Sequence, residues 1–394
     1  MHESQRAPKA PWSPLSLLLL IPLLASCATN EQSPLAPDDL SRASVSSPGR
    51  HVAPTGHDVG DCSDSPCLTI NYAISQAAAG DRILVAAGTY LESVSVTKQL
   101  LLTGHGATID AAGQSSPPNA IVISGTGAAG TVVTGFTIQN AGLEGIFVNK
   151  TSKIRIENNV VVNNDAYGPF HPLCAAQPDD CGEAIHLQSV TNSIVKGNSV
   201  HDNIGGILLT DEDGPTSDNR ITENLVFNNT LDCGITLASH WFSLTGPAAP
   251  DVAGVYHNLV SHNTARGNGA AGIGVFAGPP GAAAWENLVS YNEALNNGFA
   301  GIEIHSHTPG QNANGNVITH NTLSGNGIDD DNPVDDARAG ISVFSAVIPI
   351  PHTTISFNSI TNEYYGIITL NAAQLTGIAS NKFSPSVVVP ISIH

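Results

Sequence analysis

The chain is short of positive charge: 14 Lys plus Arg stand against 33 Asp plus Glu in 394 residues, a formal net charge of -19. Nucleic acid is thereby excluded as a partner, because phosphate backbones are held by clustered cations. A bare polyuronate is disfavoured for the same reason, unless calcium bridges the two anions. Charged residues of both signs make up only 12% and aromatics 5%, and Met1 is the single methionine. A thioether-rich soft-metal site is therefore absent. Apolar runs are short as well. The longest, PLSLLLLIPLLAS near the amino terminus, is too short to favour a membrane-spanning helix.

What the chain does have is 38 glycines and abundant Asn, Ser and Thr, the composition of a turn-rich all-β chain rather than a helical or doubly wound one. It also has a repeat. In NLVSYNEALNNGFAGIEIHSH, residues 287–307, asparagine recurs at Asn287, Asn292 and Asn297. Five-residue spacing fits neither a helix face nor a strand face, so it marks turns. The unit returns 29 residues away on each side, at Asn258, Asn263, Asn268 and at Asn316, Asn321, Asn326. The central asparagine extends to a series Asn159, Asn198, Asn224, Asn263, Asn292, Asn321 and Asn358. Flanking it are two aliphatic columns, Ile156 to Ile355 and Val161 to Ile360, which read as core.

Each unit adds a Gly/Ala-Ile-x-aliphatic strand, as in AIHL, GILL, GITL, GIGV, GIEI and GISV, giving about three short strands per coil. Asparagine at the corners is expected to adopt the left-handed conformation and to stack as an amide ladder from coil to coil.

On these repeats the chain, over residues 51–394, resembles the right-handed parallel β-helix, or pectin-lyase-like, superfamily, and within it the NosD-like repeat proteins. The resemblance implies a solenoid of about nine coils, residues 57–394. CLTINYAISQAAAGDRILVAAGTYLESVSVTKQLLLTGHGATID is similar to the usual entry, a capping helix at about 68–79 before the first coil. Motifs of related enzymes are incomplete: NDAYGPFHP resembles the Asn-Asp-x-Tyr-Gly run of mannuronan epimerases without their Asp-Pro-His, and GHG at 104–106 lacks the partners found in polygalacturonases. The repeats thus specify fold far better than activity.

Residues 1–26 resemble a bacterial lipoprotein signal peptide ending in LASC, which implies lipidation of Cys27 and a membrane-anchored, exported protein of the cell envelope. Residues 27–56, rich in Ser, Pro, Ala and Asp, read as a flexible tether. An exported compartment permits disulfides, expected for Cys62 with Cys67 and Cys174 with Cys181, which leaves Cys233 as a small buried hydrophobe.

Length differences between units place insertions at 164–182, 240–256 and 326–339, all flanking the Gly-Ile strand. Insertions on one side of a solenoid build its binding face. Alternation on that strand turns the Ile column inward and His186, Gln188, Thr210, Thr236, Phe276, Glu303, His305 and Phe344 outward. Coil alignment sets Glu212 beside His240, and puts Glu303, His305 and His307 on one coil. Glu212, His240, Glu303 and His305 are the candidate catalytic residues, with a carboxylate expected to favour protonated histidine and enclosure to raise a carboxylate's pKa. His186, Trp241, Phe276 and His307 are the candidate substrate-binding residues, the aromatics as platforms for sugar faces. His186 and Glu303 lie four coils apart, about 19 Å, too far to form a pair. In GIDDDNPVDDAR, Asp329, Asp331 and Asp335 offer calcium ligands, with a solvated acidic loop as the alternative; no other cofactor is expected.

Two functions follow as expectations. One is a monomeric envelope protein that binds, and cleaves or modifies, a polysaccharide in a groove beside the Gly-Ile strand. The other is a non-catalytic surface scaffold or adhesion protein.

Overall fold

The computed structural model describes residues 49–115, 118–167, 182–327 and 338–394. Within them the coils contribute three short strands each, with a fourth, two-residue strand on some (Thr216–Ser217, Val255–Tyr256, Ala284–Trp285), and counterparts on successive coils pair in parallel. Leu259–Ser261, Leu288–Ser290 and Val317–Thr319 stack with Val260, Val289 and Ile318 in register. Thr264–Arg266, Glu293–Leu295 and Thr322–Ser324 do the same through Ala265, Ala294 and Leu323. The Gly-Ile strands Ile273–Ala277, Ile302–Ser306 and Ala339–Ser345 make the third wall. The result is a right-handed parallel β-helix. The Gly-Ile wall has eleven rungs, from Val94–Val96 to Val389–Ile393, more than the nine coils expected, because its ends lack the asparagine that marks the repeat.

Both aliphatic columns read from the sequence are core: all of Ile156, Val195, Ile221, Val260, Val289, Ile318 and Ile355 are fully buried, as are Val161, Val200, Val226, Ala265, Ala294, Leu323 and Ile360. Each larger side chain so buried contributes about 1.5–3 kcal/mol, and the stack is continuous from coil to coil.

The asparagines form the ladders expected. In Asn292 the backbone N–H and the side-chain amide both donate to Asn321 Oδ1, at 2.9 and 3.0 Å, while the same amide donates to Val260 O at 2.9 Å. The corner conformation, however, belongs to the residue before. Left-handed φ angles of 58°, 57°, 57° and 57° fall on His262, Tyr291, His320 and Phe357, immediately ahead of Asn263, Asn292, Asn321 and Asn358. Bulky residues at positive φ cost about 1–3 kcal/mol each. The ladder bonds offset this, and so does ring stacking: His262, Tyr291, His320 and Phe357 stack in sequence at 5.2, 4.8 and 5.0 Å.

The cap helix occupies Ile70–Gln76, shorter than the expected 68–79. Thr69 caps it, its hydroxyl accepting from Tyr72 N, and the Glu92 carboxylate accepts from Ile70 N and Asn71 N at the positive end of the helix. Ala77 is extended and ends it. The sheet begins earlier than expected: Arg50–Val52, inside the presumed tether, pairs in parallel with Arg82–Val85. Cys62 and Cys67 form a disulfide next to this entry, and Cys233 is a free, buried cysteine. Cys27, the Cys174–Cys181 pair and Asp329, Asp331 and Asp335 lie outside the described residues.

Candidate functional site

Parallel pairing sets the outward residues of the Gly-Ile wall in two columns. One runs Phe147, His186, Leu208, Thr236, Gly274, Glu303, Ser342. The next outward residue along each strand gives Asn149, Gln188 and Thr210 on earlier rungs, and Ala238, Phe276, His305 and Phe344 on later ones. Chemistry gathers at two places on this face.

At the first, a chain of hydrogen bonds crosses three rungs. His240 Nδ1 donates to Glu212 Oε1 at 2.7 Å, Thr210 Oγ1 donates to Glu212 Oε2 at 2.5 Å, and His186 Nε2 is 2.8 Å from Thr210 Oγ1. With its own proton directed to Glu212, the Thr210 oxygen accepts from His186 Nε2–H. Burial raises the Glu212 pKa, but the His240 hydrogen bond, the positive potential of both histidines and the Thr210 hydroxyl outweigh it and bring the carboxyl down to about 2. Glu212 is therefore ionised at neutral pH, the reverse of the rise expected from enclosure, because enclosure came with three partners. His186 joins this cluster through its bond to Thr210.

Asp211, absent from the sequence-based candidates, fixes the turn that carries His240. It is fully buried, accepts from His240 N at 2.7 Å and Trp241 N at 3.2 Å through Oδ1, and from Ser239 Oγ at 2.8 Å through Oδ2. Burial pushes its pKa up against these bonds. Trp241 is half-buried, its indole Nε1 enclosed and without a hydrogen-bond partner among the described residues, so it is placed beside His240 but is not a fully open platform.

The second place lies two rungs further on, about 10 Å along the wall. His305 Nδ1 is 3.4 Å from Glu303 Oε1, and the His305 ring lies 4.1 Å from His307 and 4.9 Å, edge-on, from Phe344. Desolvation by burial, with repulsion from His307, holds the His305 pKa down at about 3. His305 is thus a neutral imidazole at physiological pH, contrary to the protonated form expected beside a carboxylate: burial and the second histidine win. Phe276 stands on the rung between the two clusters, its ring 5.8 Å from that of His305. Its ring covers Gly274, where a Cβ would come within 2.3 Å of the ring carbons, so only glycine leaves room for it.

Glu144 and Glu183 complete the first cluster and were also missed. Both stand two residues before the inward Ile of their strands, in LEGIF and GEAIH, so the repeated Glu-Gly/Ala-Ile was the available signal. A separate hollow at the amino-terminal end, lined by His51, Asp64, Leu84 and His105, is not part of this face.

The sequence profile described as the right handed beta helix region matches residues 103–312. The chain belongs to this right-handed β-helix family. Among solved structures, this β-helix protein is similar to the A-module of the Azotobacter vinelandii mannuronan C-5 epimerase AlgE4, at 13% identity and a TM-score of 0.51, over 82% of this chain and 90% of that one. It is similar to the catalytic domain of a GH87 α-1,3-glucanase in complex with tetrasaccharides, at 16% identity and a TM-score of 0.55, over 82% and 56% of the two chains. The Dettilon tailspike protein gives 15% identity and a TM-score of 0.54, over 87% and 68%. No curated protein sequence matches. At these identities the likeness is one of fold.

Proposed function

We propose that this β-helix protein binds a neutral polysaccharide along its Gly-Ile wall and acts on it by acid/base chemistry at Glu212 and His240. The observation that carries the reading is the Glu212–His240 contact at 2.7 Å, on an outward face with a second histidine–glutamate pair two rungs away. An ionised Glu212 holds the His240 Nδ1–H, and an imidazole fixed in this way exchanges protons through Nε2. Glu303 and His305, with Phe276 between the clusters, supply the further contacts for a chain of several sugars. A neutral glycan suits the wall better than a polyanion, since Asp211, Glu212, Glu144, Glu183 and Glu303 all belong to it. Three β-helix neighbours named for mannuronan, for α-1,3-glucan and as a phage tailspike support a glycan by analogy of fold. The signal-like amino terminus and the Cys62–Cys67 disulfide support an exported, lipid-anchored location in the cell envelope.

The test is a panel of neutral polysaccharides, with released reducing ends and unsaturated products measured for the wild type and for His240→Ala and Glu303→Gln. A positioned acid/base group contributes about 10²–10⁴-fold, so His240→Ala is expected to lower kcat/KM by at least 10²-fold. Full activity in both variants removes these residues from the mechanism. Binding of a glycan without turnover favours the scaffold or adhesion role.

A further inference from the structure

Above the Thr210 end of the hydrogen-bonded chain lie two carboxylates that the proposed reaction does not use. Glu144 and Glu183 occupy one column on adjacent rungs, fixed by the pairing of Ile146 with Ile185 and by the bond from Gly145 N to Glu183 O at 3.2 Å. The same column continues through the small residues Gly205, Cys233, Ala271, Ala300 and Ala339 before it reaches Tyr365. Glu144 follows Asn119 in this column, and Glu183 is followed by Gly205. Gly205 makes room for it: a Cβ there would stand 3.1 Å from Glu183 Oε1.

His186 faces this pair. Glu144, Glu183 and His186 are 8%, 1% and 5% exposed, and one ligand atom from each lies within 4.8 Å of the others. The imidazole is fixed from behind, its Nε2–H held by Thr210 Oγ1 at 2.8 Å. Its other nitrogen, Nδ1, is enclosed, makes no hydrogen bond among the described residues, and points at Glu144 Oε1 from 3.6 Å. Asn119 Nδ2 donates to the other oxygen, Oε2, and so fixes that carboxylate too. Three ligand-type groups thus converge among buried side chains, and His186 and Glu144 are each fixed by a partner on the far atom. Donor atoms that converge in this way call for a proton or a metal ion between them.

We propose that Glu144, Glu183 and His186 bind a divalent first-row transition-metal ion, with Zn²⁺ as the representative. One imidazole with two carboxylates suits such an ion better than Ca²⁺, which takes six to eight oxygens. An ion with bonds of about 2.0–2.1 Å holds its ligand atoms roughly 3.3 Å apart, and the His186–Glu144 separation is already close to that. Three protein ligands leave a coordination position open toward the wall. The Thr210 hydroxyl behind His186 is the outer partner that such a ligand needs for its tautomer and ring orientation. The site uses none of the residues tested as acid/base groups, so it stands or falls separately from the glycan reading.

Purified protein stripped with a chelator is titrated with ZnCl₂ by calorimetry, and bound metal is counted by plasma mass spectrometry after desalting. About one equivalent is expected, together with a higher melting temperature in the presence of the ion. Glu183→Gln and His186→Ala should each weaken binding by at least about 100-fold, and Thr210→Val by about 10–100-fold. Co²⁺ should give the visible absorption of a low-coordinate nitrogen and oxygen site, a readout that does not depend on any activity. Circular dichroism separates a lost ligand from a lost fold; should His186→Ala unfold, the shape-conserving Glu144→Gln variant takes its place. Failure of the folded wild type to retain Zn²⁺ or Co²⁺, equal affinity in all the folded variants, or tighter binding of Ca²⁺ than Zn²⁺ would each overturn the assignment.

Discussion

Asp211 and Glu212 are neighbours in sequence, yet their surroundings drive them apart. Asp211 is spent on the backbone of the 239–241 turn, whereas Glu212 collects a histidine, a hydroxyl and the potential of a second histidine. This difference has a measurable sign. A carboxyl held at about 2 in the fold, against 4.5 when unfolded, adds stability above pH 4.5 and loses it as the pH falls toward 2. The contribution is roughly 3 kcal/mol at most. Glu212→Gln should therefore melt lower than the wild type at pH 7, with the difference closing between pH 4.5 and 2 in thermal melts; a gap that does not depend on pH would contradict the assigned ionisation. At this scale the sequence was partly legible. Coil alignment is enough to bring Glu212 to His240, since both follow the same strand type. It could not join His186 to them, because that link runs through the Thr210 hydroxyl, whose direction depends on side-chain rotation rather than on register. The state of His305 was illegible for a similar reason: burial and a second histidine set it, and neither is a property of spacing.

Among the elements, the asparagine ladder was the most legible, because a buried amide must be matched at the same place on every coil. The period located the column but not the dihedral angles. Nothing in the repeat distinguishes the left-handed corner from the ladder residue after it, and His262, Tyr291, His320 and Phe357 are not residues that propensity would place at positive φ. One ladder ends in a substitution that makes a test. Asn326 donates through its backbone N–H to Glu363 Oε2 at 3.0 Å and through its amide to Oε1 at 2.8 Å, so Glu363 stands where another asparagine would continue the ladder. Burial raises its pKa to about 7, with the Asn326 bonds opposing. The folded state therefore holds a proton that the unfolded chain releases above pH 4.5, and stability falls as the pH rises from 4.5 to 7. Glu363→Gln, which keeps an acceptor without the charge, should be the more stable form at pH 8, by on the order of 1–3 kcal/mol, and should lose that advantage by pH 4. Denaturant melts at the two pH values would show it, and an equal difference at both would disprove it.

For the solenoid as a whole, stability is approximately a sum of coils and their interfaces, so one coil can be removed without redesigning the rest. Residues 258–286 are a natural unit: His257 and Glu286, which precede its two boundaries, share the left-handed conformation at φ 55° and 51°. Joining His257 to Asn287 should let Asn219 meet Asn287, and Asn224 meet Asn292, in the register they now make with Asn258 and Asn263. The shortened chain is expected to keep its β-sheet circular dichroism and a cooperative melt at somewhat lower temperature. If one glycan spans both clusters, turnover should collapse although His240 and Glu303 are both retained. Unchanged turnover would show that the clusters work independently.

The parallel register has one more consequence. Because every side chain on the Gly-Ile wall is separated from its counterpart by whole rungs, the wall is a ruler graduated in steps of about 4.8 Å. Substitution changes what is written at a mark, while loss or gain of a coil changes the distance between marks. Duplicating or deleting a turn would therefore change the spacing between marks, and with it the length of any polymer laid along the wall, while leaving the chemistry at each mark untouched.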